Sequence, residues 1–150
     1  MAQLKVSEAL RKKLQKIGKE MGDGHVSVGF MGEGTYEDGT PIAAVAFWNE
    51  FGVPENNQPP RPYFRGMITR ESPSWPKKIA SLAKLTDYDG EKVLKIMGDD
   101  ISGALDQSVR TLTDPPLSPN THKKSAKAGF DKPLIDTGQM VRSITYKVEK

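Results

Sequence analysis

The chain has 150 residues, of which 36% are hydrophobic and 27% charged, a balance that suits one domain with a modest core. It contains no cysteine, which excludes disulfides, catalytic thiols and cysteine-ligated zinc or iron–sulfur centres. The formal net charge of +3 is too small to argue nucleic-acid binding by itself.

Residues 2–21 place Leu10, Leu14, Ile17 and Met21 on one face, with Lys12, Lys13, Lys16 and Lys19 over the rest, which predicts a surface helix. Its basic side either meets phosphate or an acidic partner or is a solvated face. The segment is charged and amphipathic, without a cleavable signal pattern. No stretch nears the roughly 18 apolar residues of a membrane span, so the expectation is a cytoplasmic start without a membrane. Residues 25–31 alternate, with Val26, Val28 and Phe30 on one side, and predict a half-buried strand. Gly32-Glu33-Gly34 and Asp38-Gly39 then mark a loop or hairpin. It is not a phosphate cradle, since no lysine follows its glycines and Glu33, Glu37 and Asp38 would repel phosphate.

The densest apolar run follows. Thr40-Pro41 is a helix start and Gly52 a matching stop, and between them Ala44, Phe47, Trp48 and Phe51 keep helical spacing while Ile42, Val45 and Ala46 fill the next face. A buried strand is the competing reading, but ten or more residues bounded by Pro and Gly favour a helix. Such a helix, polar only at Asn49 and Glu50, needs cover on more than one side. Pro54, Pro59, Pro60 and Pro62 then predict an extended arm over 53–61, and Pro62 opens a further helix with Tyr63, Phe64 and Met67 as apolar positions.

Pro73 and Pro76 interrupt that helix, and a short one runs from Pro76 through Ile79, Leu82 and Ala83. A long amphipathic helix over 90–113 carries Val93, Ile96, Met97, Ile101, Ala104, Leu105, Val109 and Leu112, with Asp89 as its cap, and Asp114-Pro115-Pro116 ends it. Residues 115–133 lack apolar periodicity and read as a long flexible loop. Its Lys123, Lys124, Lys127 and Lys132 face passing DNA, an acidic partner surface or solvent alone. Asp136 caps a short helix through Met140 and Val141, and Ile144, Tyr146 and Val148 alternate as a closing strand.

Three short motifs in this order, Asn49-Glu50-Phe51-Gly52, then Pro60-Arg61-Pro62-Tyr63-Phe64-Arg65, then Pro133-Leu134-Ile135-Asp136-Thr137-Gly138 with Ser143-Ile144, resemble the neck and tail-completion proteins of long-tailed bacteriophages. The resemblance covers most of the chain. It implies a small α+β protein without chemistry of its own that forms a ring at the head–tail junction, as neck protein or tail terminator. It also implies a homo-oligomer, hexamer or dodecamer, and neighbours among head-completion or connector and tail-tube or terminator proteins. DNA would pass through the ring without sequence-specific contacts, and the location would be the virion, assembled in the host cytoplasm.

The residues are weighed separately against catalysis. Asp136-Thr137-Gly138 shares its tripeptide with aspartic proteases, whose chemistry needs two carboxylates sharing a proton; one copy supplies them only across a symmetric dimer. His25 and His122, the only histidines, have no triad or metal spacing around them. The reading is therefore no enzyme, no cofactor and no metal. The alternatives to a structural ring subunit are a small basic nucleic-acid-binding module and, last, an aspartic-type hydrolase.

The fold expected is a single α+β domain over 1–150: a small, mostly antiparallel sheet of the strands near 25–31 and 143–149, with a third strand near Tyr36, packed against two long amphipathic helices at 2–21 and 90–113. The predicted subunit interface comprises Trp48, Asn49, Glu50, Phe51, Arg61, Tyr63, Phe64 and Arg65, with Arg61 or Arg65 pairing with Glu50 of a neighbouring copy.

Overall fold

The computed structural model of the protein describes residues 7–116 and 138–150. Helix α1 spans Glu8–Met21, strand β1 His25–Phe30, helix α2 Ile42–Phe51, helix α3 Tyr63–Glu71, helix α4 Trp75–Leu85, helix α5 Gly90–Thr111, the short helix α6 Gln139–Arg142, and strand β2 Ile144–Glu149. The fold is thus mixed helix and strand.

Helix α5 is the axis of the molecule. Its 22 residues correspond to about 33 Å of helix. The Asp89 side chain accepts the Lys92 N–H at 3.1 Å and caps its start. Ion pairs four residues apart, Glu91 with Lys95 and Asp106 with Arg110, hold its outer face. Its inner stripe of Val93, Met97, Leu105 and Val109 is buried, as the helical period predicts.

The two strands nearest the chain ends pair antiparallel, from His25 opposite Glu149 to Phe30 opposite Ile144, and lie on α5. Gly98 is the contact point: a Cβ there would overlap the Tyr146 ring. The third strand expected near Tyr36 does not form. Thr35 and Pro41 make an isolated bridge, and the Tyr36 N–H reaches Thr40 O in a local turn. A two-stranded ribbon is marginal alone, and here α5 supplies the apolar face that a third strand would have provided.

The expectation of two long covering helices also needs correction. α1 is a regular helix, capped by Ser7, but none of its residues is buried. It meets the body through its last turn, where Met21 packs against the small cluster formed by Ala83, Val93 and Met97, and Gly90 leaves room for the backbone of Glu20. A larger cluster of Ile42, Ala46, Tyr63, Met67, Leu105, Val109, Met140 and Val141 fills the other end, and Trp75 and Ile101 touch both clusters. Pro73 breaks the α3–α4 pair as expected, through a 3-10 turn at Ser72–Ser74, so that α4 begins at Trp75 with Pro76 in its first turn. α6 begins after Gly138, which has φ 72°; Asp136, expected as its cap, lies outside the described residues.

Candidate subunit interface

α2 presents a narrow stripe inward. Ile42, Ala46 and Glu50, four residues apart, are buried; Phe47, Trp48 and Phe51 are 59%, 44% and 49% exposed. A helix this apolar requires cover on several sides, and the described chain covers one.

Glu50 is the surprise of the stripe. The residue is 4% exposed, and its carboxylate sits at the start of α3, where Pro62 offers no side-chain cap. It accepts the Phe64 N–H at 2.9 Å, the Arg65 N–H at 3.1 Å and the Arg65 Nε–H at 2.7 Å. A carboxylate at the positive end of a helix, with its charge met by two amides and a guanidinium, is well compensated. Arg65 closes the arrangement by donating from its terminal nitrogen to Glu50 O at 3.2 Å and lying over the Phe51 ring, 4.7 Å from its centroid. The carboxylate expected from a neighbouring copy is therefore supplied within the chain.

The remaining motif residues are turned inward in the same way. Arg61, 6% exposed, donates its N–H to Asn49 O at 2.8 Å and its guanidinium to Pro115 O and Pro116 O, both at 3.3 Å. Burial pulls its pKa down from an ordinary value so high that it keeps its proton. Asn49 Oδ1 accepts from Gln58 Nε2 at 3.0 Å. Tyr63, 1% exposed, donates its hydroxyl to Ala46 O at 2.8 Å and meets Phe30 edge-on; burial, then the Glu50 charge, pushes its phenol pKa up. Ser108 of α5 donates to Tyr63 O at 2.7 Å.

The arm joining α2 and α3 is not extended. Pro54–Asn56 forms a 3-10 turn, Asn57 adopts φ 53°, and Val53 and Gln58 exchange two backbone hydrogen bonds. Proline at the first position of a 3-10 turn keeps its preferred φ, so the prolines serve a compact loop as readily as an extended one. Gly52 makes the reversal possible: its φ is 77°, and a Cβ would fall 2.7 Å from Gln58 O and 2.8 Å from Pro60 N.

Of the eight residues predicted for the interface, Trp48, Phe51 and the Arg65 side chain face outward, and Phe64 is half-buried. Asn49, Glu50, Arg61 and Tyr63 are used inside the fold. Phe47, left off that set, is the most exposed aromatic of α2, with its ring centroid 4.6 Å from that of Phe51. Its i, i+4 spacing to Phe51 was the available signal. With Phe30, Ala43, Phe64 and Arg65 these rings line an open apolar groove of about 300 Å³. Lys123, Lys124, Lys127 and Lys132 lie outside the described residues.

Among the described residues there is no group of three or more His, Asp or Glu side chains placed to hold a metal ion, and no helix long and apolar enough to cross a membrane. His25 faces Glu149 across the sheet at 3.1 Å. Comparison with known proteins yields no matching family model, no matching protein of described function and no matching solved structure.

Proposed function

We propose that this chain is a structural virion protein, a ring-forming neck or tail-completion subunit that joins head to tail in a long-tailed bacteriophage. The observation that carries the reading is the outward aromatic face of α2, set on a base fixed by Glu50, Arg61 and Tyr63. Exposed aromatics on a rigid support are what a permanent protein interface needs, since little ordering is required on docking. The first two of the motifs that carry the family resemblance supply Glu50, Arg61 and Tyr63 to that support. In this reading the chain acts by assembly alone: six or twelve copies close a ring, the connector and tail rings bind above and below, and DNA passes through without base-specific contacts.

The test is genetic and direct. A nonsense mutation in the phage or prophage encoding the chain should leave full heads and finished tails unjoined in electron micrographs, and supplying the chain in trans should restore joined particles. Normal joined particles without the chain would remove the reading.

A further inference from the structure

Among the described residues a second apolar stripe is left uncovered besides the aromatic face of α2. Leu10 and Leu14 of α1 are 47% and 55% exposed, while Ile17 is half-buried and Met21 reaches the core, so one stripe is anchored at its end and bare at its beginning. The two stripes differ in charge. α1 bears Arg11, Lys12, Lys13, Lys16 and Lys19 against Glu8 and Glu20, which pair with Lys12 and Lys16; Arg11, Lys13 and Lys19 have no ion-pair partner among the described residues. Beside α2 runs the exposed loop 32–39 with Glu33, Glu37 and Asp38, tied to the helix by the Ile42 N–H on Gly34 O.

The stripes also hang from opposite ends of α5. α1 meets α5 at Gly90, and its Lys12, Lys13 and Lys16 share a cleft with Asp87 and Tyr88 of the α4–α5 turn. The α2–α3 unit is held at Leu105, Ser108 and Val109. Eighteen residues of helix, about 27 Å, separate Gly90 from Ser108.

Resting on the self-assembly within the proposed function, we infer that α1 of one copy docks on the α2 groove of the next, head to tail. Leu10 and Leu14 form an i, i+4 ridge, as do Phe47 and Phe51, and two such ridges interdigitate in the commonest helix packing. The basic flanks of α1 then face the acidic loop 32–39. Because the two faces differ and lie at opposite ends, a docked pair keeps one α1 face and one α2 groove free, so the contact repeats until it closes.

The experiment uses the full chain in sedimentation velocity over a concentration series. The parent should grow beyond a dimer. Leu10→Glu with Leu14→Glu, and separately Phe47→Glu, should each be folded by circular dichroism and monomeric. Mixed in equal amounts they should form a one-to-one pair and stop there, because one intact α1 meets one intact α2. If Phe47→Glu fails to fold, Glu33→Lys with Glu37→Lys on the exposed loop takes its place, and association should weaken at least about tenfold. A parent that stays monomeric, an α1 variant that assembles like the parent, a mixture that stays monomeric, or a loop variant of unchanged affinity overturns the inference. Assembly through these faces by a chain that is dispensable for joining heads to tails would sink the virion reading and leave this inference standing. A head–tail ring whose formation survives Leu10→Glu with Leu14→Glu would do the reverse.

Discussion

Replacing Glu50 tests how the α2–α3 corner is held. In Glu50→Ala the N–H groups of Phe64 and Arg65 lose their acceptor in a partly buried site. An unsatisfied buried donor costs about 1–3 kcal/mol. The Arg65 side chain is 55% exposed and recovers water, so its loss adds less than about 1 kcal/mol. The total is about 3 kcal/mol, which for a domain of this size lowers Tm by about 6–12 °C. Glu50→Gln keeps an acceptor but no charge and should cost about half as much. Arg65→Ala should cost about 1 kcal/mol or less, because both amides keep their carboxylate. Urea melts of the three variants give the order. A Glu50→Ala variant within about 0.5 kcal/mol of the parent, or an Arg65→Ala variant as damaged as Glu50→Ala, would refute the capping argument.

Gly52→Ala should lose at least about 2 kcal/mol, because it strains a positive φ and overlaps the Gln58–Pro60 backbone, whereas Gly103→Ala, in open space on α5, should gain about 0.5–1 kcal/mol; denaturant midpoints of the pair check both signs. Tyr63→Phe removes the buried hydroxyl bond to Ala46 O and should cost about 1 kcal/mol in the same melts, with no change in secondary structure by circular dichroism. The Lys147 ammonium, then the His25 ring, hold the Glu149 carboxyl below its ordinary 4.5, and the Lys92 amide holds Asp89 below 3.8. Lowered folded-state values mean stability that is present above the ordinary values and lost as pH falls through the folded ones. The Tm difference between the parent and a Glu149→Gln, Asp89→Ala variant should therefore be present at pH 7 and shrink as pH falls below about 4; a constant difference would show that these carboxylates stabilise nothing by their charge.

What the sequence discloses depends on how local the cause is. α5 is legible because its stripe repeats over six turns and Asp89 caps it three residues before Lys92, all within one segment. The alternation of Val26, Val28 and Phe30 with that of Ile144, Tyr146 and Val148 likewise leads to the observed pairing of two distant strands. The third strand and the extended arm fail for a shared reason: Gly, Pro and Asn permit several backbones, and the choice is made by hydrogen bonds such as those between Val53 and Gln58. Glu50 shows the limit most clearly. A glutamate in an apolar helix reads as its solvent side, and only the arrival of the α3 amides from fourteen and fifteen residues further on makes burial cheaper than exposure.

The same residue explains why a recognisable motif and a working surface need not coincide. Asn49-Glu50-Phe51-Gly52 and Pro60-Arg61-Pro62-Tyr63-Phe64-Arg65 meet as one unit: Asn49 O takes the Arg61 N–H, Glu50 caps the helix containing Phe64 and Arg65, Gly52 lets the chain turn, and Phe51 stacks beneath Arg65. Each position is fixed by a geometric demand, so substitutions in this set act first on folding. Among the described residues Phe47 and Trp48 make no hydrogen bond of the corner with their side chains, Phe47 lying against the Phe51 ring, so substitutions there should leave the corner's hydrogen bonds in place. Stability measurements therefore separate the two groups before any partner is known, and an assembly defect in a variant at Phe47 that melts like the parent belongs to the surface alone.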